Sequence, residues 1–328
     1  MNKRGWIFLL SGLLCLAGLL LSLCLGAASL SLQQLWQAVR SGPTDTSGYI
    51  FWYSRLPRTL ACMLSGAALA VSGCILQCVL GNQLASPGII GINAGAGLAV
   101  TVCCALGVLS GWATSVAAFG GAMAAVLIVV ILARLTGASR TTVILSGVAI
   151  NSILGALRDA LTTLFPETAM LSGEFRVGGF SSVASVRLTP AAILIVLALM
   201  VSMTLCSELD ILALGEETAR GLGLSVKKIR TIFLVMAALL AGASVSFAGL
   251  LGFVGLLVPH MARRLVGSEC RWLLPLSGLL GAALVTLCDL LSRLLFVPYE
   301  LPVGIMMSVI GGPFFLVLLF RKKGGRHA

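Results

Sequence analysis

The sequence predicts an all-α integral membrane protein of about ten transmembrane helices, and three observations carry that expectation. Of its 328 residues, 59% are hydrophobic and only 10% are charged, whereas a soluble domain has roughly a quarter charged. The mean hydropathy is +1.07. Residues 5–39, 59–133 and 231–262 carry no charge at all, and each run exceeds the about 20 helical residues that cross a bilayer core. Membrane strands would need period-two alternation, which these runs lack, so bundled helices are the remaining solution.

The first span is 5–27. Lys3 and Arg4 precede it and Gly26-Ala27-Ala28-Ser29 closes it, a pattern shared with signal peptides. The apolar run is too long for a signal-peptide core, so it reads as an uncleaved span. Breakers cut the next run into 59–80, 88–108 and 112–134: Gly81-Asn82-Gln83 with Ser86-Pro87-Gly88, then Ser110-Gly111. A fifth span is expected at 141–165 and a sixth at 188–207. The run after Arg230 is long for one span and short for two. Gly249, Gly252 and Gly255 divide it into 230–248 and a shorter or tilted span ending near Arg263-Arg264. Spans at 271–296 and 303–320 complete the ten, and the whole chain, 1–328, reads as a single transmembrane domain.

An even number of spans places both termini on one side. Placing them in the cytoplasm puts fifteen basic and five acidic residues inside, against seven and six outside. That satisfies the positive-inside rule and explains the net charge of +11 by topology. Nucleic-acid binding is not needed.

The segment 208–230 then faces the cytoplasm. Residues 209–230 hold seven of the 33 charged side chains, between stretches that have none. It reads as short helices broken by glycine. Gly215 ends one, Glu216 and Glu217 fall in the first turn of the next where the helix dipole favours them, and Gly221 and Gly223 end that one. Ser225 is placed to cap the following span. Leu212, Leu214, Leu222 and Leu224 intersperse the charges. Spacing alone leaves two readings, a loop lying on headgroups or a docking surface for a cytoplasmic protein.

Gly66-Ala67 is followed by Gly73, and Gly242-Ala243 by Gly249, at the same separation. An inverted repeat and ordinary small-residue packing both fit. The ten cysteines lie mostly in apolar runs without a C-x-x-C. Cys74 and Cys78 share a helix face but have no His or carboxylate neighbour in sequence, so small-hydrophobe packing is expected, with no metal site. His260 reads as a packed side chain and not a ligand, and Pro259 as a kink or helix end.

At Arg55 the chain becomes recognisable. RLPRTLACMLSGAALAVSGCILQCVLGNQLASPGIIGINAGAG (55–97), LALGEETARGLGLSV (212–226), GFVGLLVPHMARRLVG (252–267) and ELPVGIMMSVIGGPFF (300–315) occur in order. Together they closely resemble the permease family of ABC importers for iron-siderophores, haem and vitamin B12. Three places depart from the family's pattern. Asn82-Gln83 replaces a usual Asn-Pro, EFRVGGF (174–180) lacks a frequent tryptophan and Gly-Ser, and Arg158-Asp159 adds charge late in the fifth span.

The resemblance implies a type II importer subunit in a bacterial cell membrane. Two permease copies, most simply a homodimer, form the pathway between them. Two copies of a cytoplasmic ATPase dock on the coupling segments, and an extracytoplasmic binding protein delivers the cargo. Ferric siderophore is the first expectation for that cargo, then haem or cobalamin. No cofactor is expected. The chain has no G-x-x-x-x-G-K-[ST] of its own, so ATP hydrolysis belongs to the partner and the chain is not an enzyme.

Leu214, Gly215, Glu216, Glu217, Ala219, Arg220, Gly221 and Leu222 are the implied ATPase contacts. Arg55 and Arg58, just before the second span, and Arg293 are implied docking residues for acidic groups on the binding protein. Snorkelling to headgroups is the plainer reading, and Asp289 lies one helical turn from Arg293 as a ready partner. Ser146, Asn151 and Ser152 would line the pathway or bond neighbouring helices, while Arg158 and Arg176 would sit at the outer mouth. An ion-coupled secondary transporter is the alternative, but it should carry ionisable groups near mid-membrane, where these spans are almost bare. An intramembrane enzyme would need a nucleophile or paired carboxylates at that depth, and a divalent-metal permease would need His and Asp in the pathway.

Overall fold

The computed structural model describes residues 3–26, 30–135, 139–183 and 185–323, with side chains described through Val317. Ala27-Ala28-Ser29 and Arg326, used above for the signal-peptide comparison and the charge balance, lie outside the described residues. The described chain is all helix and turn. α1 (Lys3–Cys24) is followed by α2 (Leu32–Ser41), α3 (Thr46–Tyr49), a π-helical turn Ile50–Arg55 and α4 (Leu56–Leu80). A 3-10 turn, Pro87–Ile90, leads into α5 (Ile92–Ala105), α6 (Gly111–Leu135) and α7 (Arg140–Leu164). α8 (Pro166–Leu171) and α9 (Gly173–Val177) are short, and α10 (Ser185–Thr204) is long again. α11 (Cys206–Ala213), α12 (Glu216–Gly221), α13 (Val226–Ala248), α14 (Val254–Val266), α15 (Cys270–Leu294) and α16 (Val303–Lys323) complete the order.

Seven helical segments among the described residues are long and apolar enough to cross a membrane: α1, Thr46–Leu80, α6, α7, α10, α13 and α15. The other three expected spans correspond to the short helices α5 and α14 and to α16. The breakers account for α5. Pro87 and Gly88 are spent in the 3-10 turn and Gly91 adopts φ +92°, so the helix starts at Ile92. Likewise Gly249 (φ +69°) ends α13, and the chain runs on to Val254 before α14 begins.

α4 is the axis of the bundle. It packs against α15, α13 and α14, and its most apolar stretch is 78% buried. The crossing with α14 shows how closely. A Cβ on Gly73 would lie 1.9 Å from the carbonyl oxygen of Gly255, so only glycine allows the two backbones to meet. Gln77, one turn on, donates to the same oxygen at 3.4 Å and accepts from Arg263 at 3.0 Å. Pro259 explains the need. It neither ends nor visibly interrupts α14, but its missing N–H deprives the Gly255 carbonyl of its helical donor. Gln77 supplies the replacement from a neighbouring helix.

The paired glycine strings play different backbone roles. Gly66 meets Gly281 on α15 and Gly73 meets Gly255, whereas Gly249 is a helix-ending residue. Close packing accounts for Gly66 and Gly73 on its own.

Candidate functional site

The bundle has two polar ends. At the first, α1 begins beside α15, with Arg4 3.2 Å from Glu269. The segment 208–230 stands at the same end. α11 buries Leu209 and Leu212 completely, and Asp210 Oδ1 accepts the backbone N–H of Cys270 at 2.9 Å, meeting an open donor at the start of α15. Arg140, at the start of α7, donates to the Leu212 carbonyl at 2.8 Å. Gly215 then turns the chain at φ +116°, a conformation closed to most side chains, and α12 follows with Glu216 and Glu217 in its first turn. Ala219 is the buried residue of α12. Glu216 reaches Arg230 on α13 at 2.5 Å, with Arg220 at 3.6 Å on its other oxygen.

The segment is therefore fastened to α7, α13 and α15 by polar contacts. What it leaves outward is mixed: Leu214 is 65% exposed and Leu222 61%, flanked by exposed Glu217, Arg220 and Gly221. A rigid base beneath exposed leucines and charges is what a protein contact surface requires. Ser225 departs from its expected role. It precedes α13 but makes no side-chain cap, because its backbone sits at ψ 77° and not in the extended capping geometry. Arg140, Asp210 and Arg230, the three anchors, were not singled out in the sequence, since nothing in spacing links positions 14, 60 and 72 residues apart.

At the opposite end, Arg55 and Arg58 do not lie before a span. The helix runs unbroken from Thr46 to Leu80, with Arg55 as the last residue of its π-helical turn and Arg58 in the first turn of α4. Asp289, completely buried on α15, is shared by Arg58 and Arg293, each at 3.0 Å. Arg58 also pairs with Glu300 at 2.7 Å. Arg293 donates to the Ser22 hydroxyl at 2.8 Å and to the Leu25 carbonyl at 3.3 Å, and Arg55 donates to that same carbonyl. Two arginines thus converge on the Leu25 carbonyl, one residue past the end of α1, and suit its dipole. Arg55 and Arg293 are 6% and 4% exposed, so within this chain they serve packing, and Asp289 is the partner anticipated for Arg293.

α7 is the least covered long helix, 11% buried over its most apolar stretch. Of its expected polar residues, Asn151 donates to the Gly88 and Ile89 carbonyls at 2.6 and 3.2 Å, a bond between helix and turn. Asn151→Leu is expected to leave those carbonyls short of a donor and lower stability by about 1–3 kcal/mol, read as a melting shift in detergent. Ser152 is exposed and bonds its own helix, and Ser146 is half-buried. Arg158 pairs with adjacent Asp159 at 2.8 Å, while Arg176 is exposed on α9. The EFRVGGF loop has a structural use: Phe175 O accepts from Leu250, Gly179 N–H reaches Ala248, and Gly178 O accepts from Gly304. It joins the ends of α9 and α13 to the start of α16.

The FecCD transport family matches residues 14–321. The chain belongs to that family. Its relatives include the hemin transport system permease protein HmuU of Yersinia pestis, 35% identical over 99% of both chains. The Fe(3+)-citrate import system permease protein YfmD of Bacillus subtilis is 36% identical over 98% of this chain and 96% of that one. The vitamin B12 import system permease protein BtuC of Klebsiella pneumoniae is 37% identical with the same coverage. Among solved structures, one described as an inward-facing conformation of a metal-chelate type ABC transporter superposes with a TM-score of 0.85. It is 26% identical and covers 97% of this chain and 99% of that one. The chain is thus a multi-pass permease of a transport family and not an enzyme, and the resemblance carried by its four motifs holds.

Proposed function

We propose that this chain is the membrane subunit of an ABC importer that brings an iron chelate into a bacterial cytoplasm. Ferric siderophore is the first candidate cargo, with haem and cobalamin next. The observation that carries this reading is the coupling segment, a charged, leucine-edged surface bonded to α7, α13 and α15. ATP-driven closure of two ATPases on Leu214, Gly215, Glu216, Glu217, Ala219, Arg220, Gly221 and Leu222 would move three spans through those bonds. The chain acts as one domain of ten spans, counting α5, α14 and α16, with both termini cytoplasmic.

A second copy covers the open face of α7, and the pathway runs along Ser146 and Ser152 with Arg158 and Arg176 at its outer mouth. The binding protein docks at the end that holds Arg58 and Glu300, which are less deeply buried than Arg55 and Arg293. The test is uptake of labelled ferric siderophores, haem and cobalamin into vesicles holding permease, ATPase and binding protein, with and without ATP. One cargo is expected to enter only with ATP. Entry driven by an ion gradient without ATP overturns the reading. Glu216→Ala is expected to cut that uptake severalfold while ATP hydrolysis persists, because α12 loses its tie to Arg230.

A further inference from the structure

Cys74 and Cys78 lack a metal-binding neighbour in sequence, but the fold supplies Cys78 with a third thiol from 192 positions away. Cys78 Sγ lies 4.0 Å from Cys270 Sγ. Cys78 is in the last turn of α4 and Cys270 is the first residue of α15. Both are enclosed, at 8% and 0% exposure, yet the turns beside them are at the surface: Gly81 to Leu84 and Gly267 to Glu269 are exposed. Among the described residues no group of three His, Cys, Asp or Glu is arranged to hold a metal. The pair is therefore two thiols in contact beneath the face that carries the coupling segment.

Cys270 is also bonded to that segment, because its backbone N–H is the donor held by Asp210 of α11. The residue before Cys78, Gln77, joins α4 to α14 through Gly255 and Arg263. A covalent link between the two sulfurs would close a loop running α11, α15, α4, α14. A disulfide needs the sulfurs at about 2 Å, so they must approach by half their present separation. Closure would require side-chain rotation and a shift of the first turn of α15.

We propose that Cys78 and Cys270 form an oxidant-sensitive modification site, whose reagents are hydrogen peroxide and small organic hydroperoxides, and whose closure locks the coupling end. Cys78, the residue with the greater exposure, takes one oxygen of hydrogen peroxide to become a sulfenic acid, and the other oxygen leaves as water. Cys270 sulfur then displaces that hydroxyl as a second water and forms the Sγ–Sγ bond. The two thiol protons end in the two waters, and the two electrons lost by the sulfurs reduce the peroxide. In a reducing cytoplasm the resting state is the dithiol.

The test uses the full permease–ATPase complex in vesicles, treated with hydrogen peroxide, alkylated, and digested without reductant. A linked peptide pair joining the Cys78 and Cys270 segments is expected, together with loss of most ATP-driven uptake and its return on adding dithiothreitol. Cys78→Ser and Cys270→Ser are expected to keep uptake after peroxide, and Cys74→Ser to remain sensitive; Cys78→Ala serves if the serine variant does not fold. Absence of the linked pair overturns the proposal, and so does a linked pair with unchanged uptake. The peptide map does not depend on which cargo is carried, so it fails or stands separately from the importer reading.

Discussion

Asp289→Ala is expected to destabilise the protein by about 3–5 kcal/mol, the usual cost of removing one partner from a buried ion pair. Asp289 is the shared counter-charge of Arg58 and Arg293, and it has no exposed surface. Arg58 keeps Glu300 when Asp289 is lost, but Arg293, 4% exposed, keeps only neutral acceptors at Ser22 and Leu25. The cost falls on the contact between α1 and α15, since Arg293 is what α15 offers the end of α1. Thermal unfolding of the purified protein in detergent measures it. A double variant, Asp289→Leu with Arg293→Met, removes charge and counter-charge together and is expected to recover more than half of the loss. A single-variant effect below about 1 kcal/mol, the range of exposed pairs, would show that water reaches this cluster.

Gly73→Val is expected to be comparably damaging, by about 3 kcal/mol or more, through overpacking. A Cβ at Gly73 would stand 1.9 Å from a backbone oxygen of α14, and backbone cannot rotate away as a side chain can. Separating α4 from α14 would also pull Gln77 from the Gly255 carbonyl that Pro259 leaves without its helical donor, so one substitution removes two supports. Gly120→Val is the control. It lies on a long helix with nothing within 4 Å of its missing Cβ, and is expected to melt with the parent protein. Equal melting of the two variants would mean that the α4–α14 crossing is looser than described.

Much of this protein was legible in its sequence. Charge-free runs longer than a bilayer is thick specify spanning helices without any tertiary information, because hydrocarbon demands that each segment satisfy its own backbone. The breakers at Gly81, Pro87, Gly111 and Gly249 located helix ends for the same local reason. The glycine-bounded polar segment stood out against its apolar flanks, and the four ordered motifs gave the family.

The sequence anticipated a shorter span at α14 but not the shortness of α5, because the 3-10 turn Pro87–Ile90 uses apolar residues that are equally suited to a span. Nor did it foretell α2 and α3, which lie between the first two expected spans.

Partnerships between distant residues belong wholly to the tertiary structure. Arg55 and Arg58 read as outward-facing charges, and only the helix continuous from Thr46 and the placement of Asp289 turn them inward, whereas the Asp289–Arg293 pair was already offered by their spacing of one helical turn. Asn151 read equally as pathway or packing, and the Gly88 and Ile89 carbonyls decide its contact. Arg140 with Leu212, Asp210 with Cys270, Glu216 with Arg230 and Cys78 with Cys270 have no periodicity to announce them. Hydropathy and breakers act within a few residues along the chain, so the sequence by itself determined which segments form apolar helices. Charge pairing and hydrogen bonding act across a few ångströms of space, and only packing decides which positions share that space.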